Sequence, residues 1–110
     1  MKLAESRINS AEGYVVGYLP YLNSYVLEIL EMRVVWYKRY YRITEDEYRL
    51  SFGRVSELTA IVKGIMNEGC TSDRFLFSEH KSENNAEQQR AYDDCYQHSG
   101  GVSSDTAIMK

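Results

Sequence analysis

The chain has 110 residues, enough for one hydrophobic core but too few for two domains of ordinary size. Its 44% of hydrophobic and 26% of charged residues lie close to globular averages, which excludes disorder over most of the length. A net charge of −3 excludes a general attraction to nucleic acid or anionic lipid, so either ligand would need a local basic patch.

Residues 1–7 carry charges of both signs and no apolar run, which is not the pattern of a secretory signal. The longest uncharged stretch, residues 13–27, is shorter than the roughly 20 apolar residues of a membrane-spanning helix and is interrupted by Pro20. Two cysteines are too few for a disulfide scaffold. We therefore expect a cytoplasmic protein with free thiols and no membrane attachment.

Apolar residues recur at helical spacing through residues 4–19, which predicts a first amphipathic helix. The residues on its apolar face are Ala4, Ile8, Ala11, Val15, Tyr18 and Leu19. Residues 14–19 also suit a β-strand, because Val and Tyr fit a pleated sheet, so both interpretations stay open for that segment.

A second helix is predicted to follow Pro20 and to run over residues 21–42, a length that exceeds any ordinary strand. Its apolar arc consists of Leu22, Tyr25, Val26, Ile29, Met32, Trp36, Tyr37 and Tyr40. The arc keeps its phase across Pro20, so the first two helices could also form one kinked rod. Such a rod would be roughly 60 Å long and would need a partner chain to cover it. Otherwise the chain folds back near Pro20.

Thr44 and Glu47 have the spacing of a capping box, which predicts the start of a third helix. Apolar residues repeat at helical spacing from there to Gly69, which is well placed to end the helix. Residues 70–81 are predicted to be a loop, with a brief strand as the alternative, and a weaker helix capped by Ser82 runs to about His98. The sequence thus predicts an all-α bundle of three to four helices: residues 1–98 form a single helical domain, and residues 99–110 a flexible tail.

Cysteine and histidine are the residue types that zinc would need, and Cys95-x-x-His98 would supply two ligands one helical turn apart. The other pair, Cys70 and His80, is separated by nine residues of predicted loop, so we expect no metal site and no other cofactor. No nucleophile elbow or phosphate-binding glycine loop is present. We therefore expect a protein that is not an enzyme.

Arg33 breaks the second apolar arc, where an unpaired charge would be costly. One interpretation is that its stem reaches solvent or that it pairs with an acid of the third helix such as Glu47. The other is that the arc is partly an interface, because Arg, Trp and Tyr are enriched at binding hot spots. The candidate partner-binding residues are Arg33, Trp36, Tyr37, Tyr40 and Tyr25.

Residues 36–42 interleave aromatic and basic side chains, which is typical of surfaces that stack on bases and neutralise phosphates. The candidate nucleic-acid-binding residues are Lys38, Arg39, Arg42 and Arg49. On a helical wheel the cations lie opposite the aromatics, which weakens this interpretation. The sequence therefore favours a small helical interaction protein, an adaptor, regulator or inhibitor of the kind that phages and mobile elements encode, binding another protein and dimerising through its first two helices. A nucleic-acid-binding regulator is the alternative.

Overall fold

The computed structural model describes residues 1–99 and 107–109, which form a mixed α/β fold around one six-stranded sheet. The strands are β1 (Ala4–Asn9), β2 (Tyr14–Leu19), β3 (Ser24–Met32), β4 (Trp36–Ile43), β5 (Phe75–Ser78) and β6 (Ala107–Ile108). The helices are α1 (Glu45–Arg49), α2 (Val55–Glu68) and α3 (Ala86–Ser99). The strand order is β5-β4-β3-β2-β1-β6, antiparallel throughout except for the parallel pair β1 and β6.

The prediction of an all-α bundle is wrong. Residues 4–19 form the hairpin of β1 and β2, and residues 24–43 form the hairpin of β3 and β4. Both faces of the sheet are covered, so its strands carry apolar side chains on both sides, and such runs imitate a helical arc. The strand interpretation of residues 14–19 is confirmed.

The kinked rod is absent as well. Pro20 begins a single 3₁₀ turn, Pro20–Leu22, that joins β2 to β3. Asn23 ends this turn in the left-handed conformation, with φ of 49°. The chain therefore reverses direction here, and the principal extents are 37 × 31 × 25 Å instead of the length of a rod.

The capping box at the third predicted helix is confirmed, with reciprocal bonds between Thr44 and Glu47. The helix itself is shorter than predicted. It ends at Arg49, and a 3₁₀ turn and Gly53 separate it from α2. Gly69 ends α2 as predicted, with φ of +58°, a value that favours glycine.

Two segments near the C-terminus also differ in detail from the prediction. The brief strand, the alternative for residues 70–81, exists as β5. The last helix starts later than Ser82, because Asn85 forms reciprocal hydrogen bonds with Gln88 and caps α3. Of the predicted flexible tail, residues 100–106 and 110 lie outside the described residues, whereas Ala107 and Ile108 pair with β1.

One helix packs on each face of the sheet, giving two hydrophobic cores. The core between the first face and α2 includes Tyr14, Val16, Leu27, Ile29, Tyr41, Ile43, Leu58, Val62 and Ile65. The core between the second face and α3 includes Leu3, Leu19, Val26, Tyr40, Phe77 and Cys95. Within residues 1–99 and 107–109, no helix is both long and apolar enough to cross a membrane.

Candidate functional site

The hairpin of β3 and β4 projects beyond the strands on either side of it. On one side, pairing with β2 ends at Ile29. On the other side, pairing with β5 ends at Arg39. Residues 30–37 therefore form a two-stranded ribbon, which we call the arm.

The second face of the arm is apolar and exposed. Because side chains alternate along a strand, Leu30, Met32 and Trp36 share this face, and Met32 and Trp36 are direct cross-strand partners. Their exposed fractions are 44%, 53% and 63%, and Val34 and Val35 at the tip are 93% and 63% exposed. Large apolar side chains gathered in one exposed patch are typical of a contact surface.

The opposite face of the arm is held by a polar network centred on Glu83, which we call the Glu83 cluster. Its members are Glu31, Arg33, Tyr37, Arg39 and Glu83. The Arg39 guanidinium donates two hydrogen bonds to the Glu83 carboxylate, at 2.9 Å from Nε and 2.6 Å from Nη2. The Tyr37 hydroxyl donates a third, at 2.9 Å. These bonds tie β4 to the turn that precedes α3.

The charges of the Glu83 cluster balance one another. Arg39 also lies 3.4 Å from the Glu31 carboxylate, and Arg33 lies 3.7 Å from that of Glu83. The side chains of Arg39 and Glu83 are only 11% and 8% exposed, so the pair is largely shielded from water. Hydrogen bonding from Arg39 lowers the pKa of Glu83 to about 2 and raises the pKa of Arg39. These contacts hold the arm in one orientation.

A groove lies beside the base of the arm on the second face. It has a volume of about 390 Å³ and contains the ion pair of Lys38 and Glu28, whose charged atoms are 3.7 Å apart. Burial raises the pKa of the Glu28 carboxyl group. The remaining lining residues are Met1, Lys2, Leu3, Ser6, Ile8 and Val15.

The five candidate partner-binding residues do not form one surface. Arg33 and Trp36 are both exposed on the arm, but Tyr37 is 5% exposed and faces the Glu83 cluster. Tyr40 is fully buried in the second-face core, and Tyr25 lies at the other end of β3.

The sequence-based prediction missed two details of the site. The partner of Arg33 is Glu83, not Glu47, which pairs with Arg74 instead. Sequence reasoning also missed Leu30, Val34 and Val35, although strand alternation from Leu30 to Met32 was available as a signal.

The candidate nucleic-acid-binding residues are distributed over different surfaces. Lys38 lies on the second face and pairs with Glu28, whereas Arg39 lies on the first face in the Glu83 cluster. Arg49, on α1, pairs with Glu45. Among the described residues Arg42 has no ion pair and is exposed. Consecutive strand residues point to opposite faces, which separates Arg39 from Lys38 and Arg42, although a helical wheel groups the three cations together.

The cysteine and histidine side chains are not gathered around a common point. Cys95 is fully buried beneath α3, where burial raises the pKa of its thiol to about 11. His98 stacks on Tyr21, and His80 packs edge-on against Tyr37. In the part of the chain that the structure describes, no group of three or more histidine, cysteine or acidic side chains could hold a metal ion.

The chain was compared with protein families, curated proteins and solved structures. No protein-family model matches the chain, and neither the curated proteins nor the solved structures give a significant match.

Proposed function

We propose that this protein acts by binding another protein through the apolar face of the arm. The single observation that carries the proposal is the contrast between the two sides of the arm. One side is tied down by the Glu83 cluster, and the other presents Leu30, Met32 and Trp36 to solvent. A fixed ribbon with exposed apolar side chains loses little conformational freedom on binding, which favours association.

The shape and charge of the arm favour a protein as its ligand. The arm is a projection, so it suits insertion into a concave apolar site better than enclosure of a small molecule. Arg33 on the arm, and Lys38 and Arg39 at its base, already face carboxylates, which leaves little charge for phosphates. Trp and Arg are also residues that commonly dominate binding energy.

We also propose that the protein works in the cytoplasm. Cys70 and Cys95 are both free thiols, which is the usual state in a reducing compartment.

Affinity capture followed by a binding titration tests the proposed function. The tagged chain is used to isolate partners from its native cell, and each purified partner is titrated while the emission of Trp36, the single tryptophan, is recorded. Burial of Trp36 at the interface should shift its emission to shorter wavelength. Met32→Glu should raise the Kd at least about 30-fold, because a central contact is replaced by a charge.

Met66→Glu is the matched control, since Met66 on α2 is 40% exposed and lies outside the arm. Partners that bind wild type and Met32→Glu equally well, without a change in Trp36 emission, would refute the proposal.

A further inference from the structure

We infer that the protein covering the apolar face of the arm is a second copy of the same chain. This inference rests on the proposed function, because it takes the arm as an association surface and specifies what lies on it. A two-fold dimer brings the same patch of both copies together, so the patch must be complementary to itself.

The charges around the patch meet that requirement. In a two-fold contact, every unpaired charge near the axis would face its own copy and repel it. Here Lys38 already pairs with Glu28 on the second face, and the charges of the Glu83 cluster lie on the other side of the arm. What remains on the second face of the arm itself is apolar, and two such faces can meet without repulsion, whereas Lys2 in the adjoining groove must stay in contact with water.

The chemistry of the patch is suited to packing against itself. Met32 and Trp36 lie side by side across the hairpin. In a two-fold contact the flexible thioether of one arm can pack on the indole ring of the other, a favourable pairing. Leu30, on the same face, then borders this centre, as apolar residues surround hot spots in other interfaces.

The exposed apolar residues of the arm supply a large part of the area that a small dimer needs. A standard interface buries about 800 Å² on each partner. The five exposed apolar residues of the arm supply several hundred Å² of this. The adjoining groove, with the partly exposed Ile8 and Val15, extends the contact along the same face.

The oligomeric state of the full chain tests the inference. Sedimentation velocity is recorded from about 1 µM to about 300 µM, together with Trp36 emission at each concentration. Wild type should approach twice the 12.8 kDa of the chain as concentration rises, and its emission should shift to shorter wavelength in step.

Met32→Glu should sediment as a monomer with an unchanged emission over that range, whereas Met66→Glu should behave as wild type. Val34→Glu provides a second variant, because Val34 is 93% exposed and its replacement removes no packing from the monomer. It should weaken the dimer at least about tenfold while far-ultraviolet circular dichroism stays unchanged.

Three results would overturn the second-copy inference. One is a wild type that remains monomeric at the highest concentration, another is a dimer that both arm variants retain, and the third is a dimer whose Trp36 emission does not change. A monomeric wild type whose Trp36 emission shifts with a captured partner would leave the proposed function standing. Arm variants that remain monomeric yet bind every captured partner with wild-type affinity would confine the arm to self-association.

Discussion

Replacing Glu83 by Gln should destabilise the protein and loosen the arm. The variant keeps the shape of the side chain but removes the charge that accepts two bonds from Arg39. Arg39 is 11% exposed and keeps only Glu31, at 3.4 Å, as an opposite charge. Breaking a fully buried pair costs about 3–5 kcal/mol, and losing a charged hydrogen bond about 1.5–3 kcal/mol. With Glu31 remaining, we expect a loss of about 2–3 kcal/mol.

The same interaction makes the free energy of unfolding depend on pH. The pKa of Glu83 falls from its ordinary value of 4.5 to about 2 in the folded protein. A lowered pKa stabilises the fold at pH values above the unfolded pKa, and this stabilisation is lost as the pH falls through the folded pKa. The shift corresponds to about 3 kcal/mol at neutral pH. The difference between wild type and Glu83→Gln should therefore narrow to about 1 kcal/mol at pH 3.

Urea unfolding at pH 7 and pH 3, with wild type and variant measured in parallel, checks both numbers. Glu45→Gln is the control, since Glu45 pairs with Arg49 on the surface and its removal should leave the free energy of unfolding almost unchanged. Hydrogen exchange of amides in residues 30–37 should accelerate in Glu83→Gln alone. If Glu83→Gln and Glu45→Gln were equally stable, or if the pH dependence of Glu83→Gln matched wild type, the stabilising role of this cluster would be refuted.

Three further predictions concern the rest of the fold. Gly17→Ala should cost roughly 1–3 kcal/mol in urea unfolding, because its Cβ would lie 2.7 Å from a side-chain carbon of the N-terminal segment, whereas Gly64→Ala, with open space around it, should be stabilising. Asn84→Ala should raise light scattering at high concentration. The Asn84 side-chain amide forms two 2.8 Å hydrogen bonds with the backbone of Ser78 in the edge strand β5, and its removal leaves these backbone groups free to pair with another chain. Scattering equal to wild type would contradict this. Cys95 should react with a thiol reagent only at the rate of unfolding, since it is fully buried and its thiol pKa is raised to about 11; rapid labelling of the native protein would show that α3 opens locally.

Local signals in the sequence predicted local structure correctly. The capping box needs only Thr44, Glu47 and the backbone between them, so its formation depends little on the rest of the fold. Gly69 likewise ends α2 because its positive φ is a property of its own backbone. Both features are decided within a few residues of chain.

The hairpin of β3 and β4 was hidden because its turn carries none of the usual turn residues. The chain reverses at Arg33, Val34 and Val35, without Gly, Pro, Asn or Asp. Two strands of nine and eight residues then look like one long apolar segment. Their content of Val, Ile and Tyr favoured strands. Because apolar side chains lie on both faces of each strand, however, the sequence shows no alternation of apolar and polar residues that would distinguish a strand from a helix.

The candidate site was partly accessible from composition. Arg33 stands out because its charge falls within the predicted apolar arc, and Trp36 because it is the single tryptophan of the chain. The exposure of Leu30 and Val34 depends instead on where β2 and β5 stop pairing, which is decided by residues far away in the sequence. Sequence reasoning about one segment has no access to that boundary.

The alternation of the arm links its stability to its exposed surface. Glu31 and Tyr37 are cross-strand partners on the first face, and Met32 and Trp36 are partners on the second. A slip of one residue in either strand would exchange the faces of that strand. Such a slip would remove the Tyr37 hydroxyl from Glu83 or turn Trp36 towards the cluster, and in both cases break the network. The Glu83 cluster thus selects the one register in which the apolar side chains of the arm point outward, so the exposed apolar surface is a consequence of the same pairing that stabilises the hairpin.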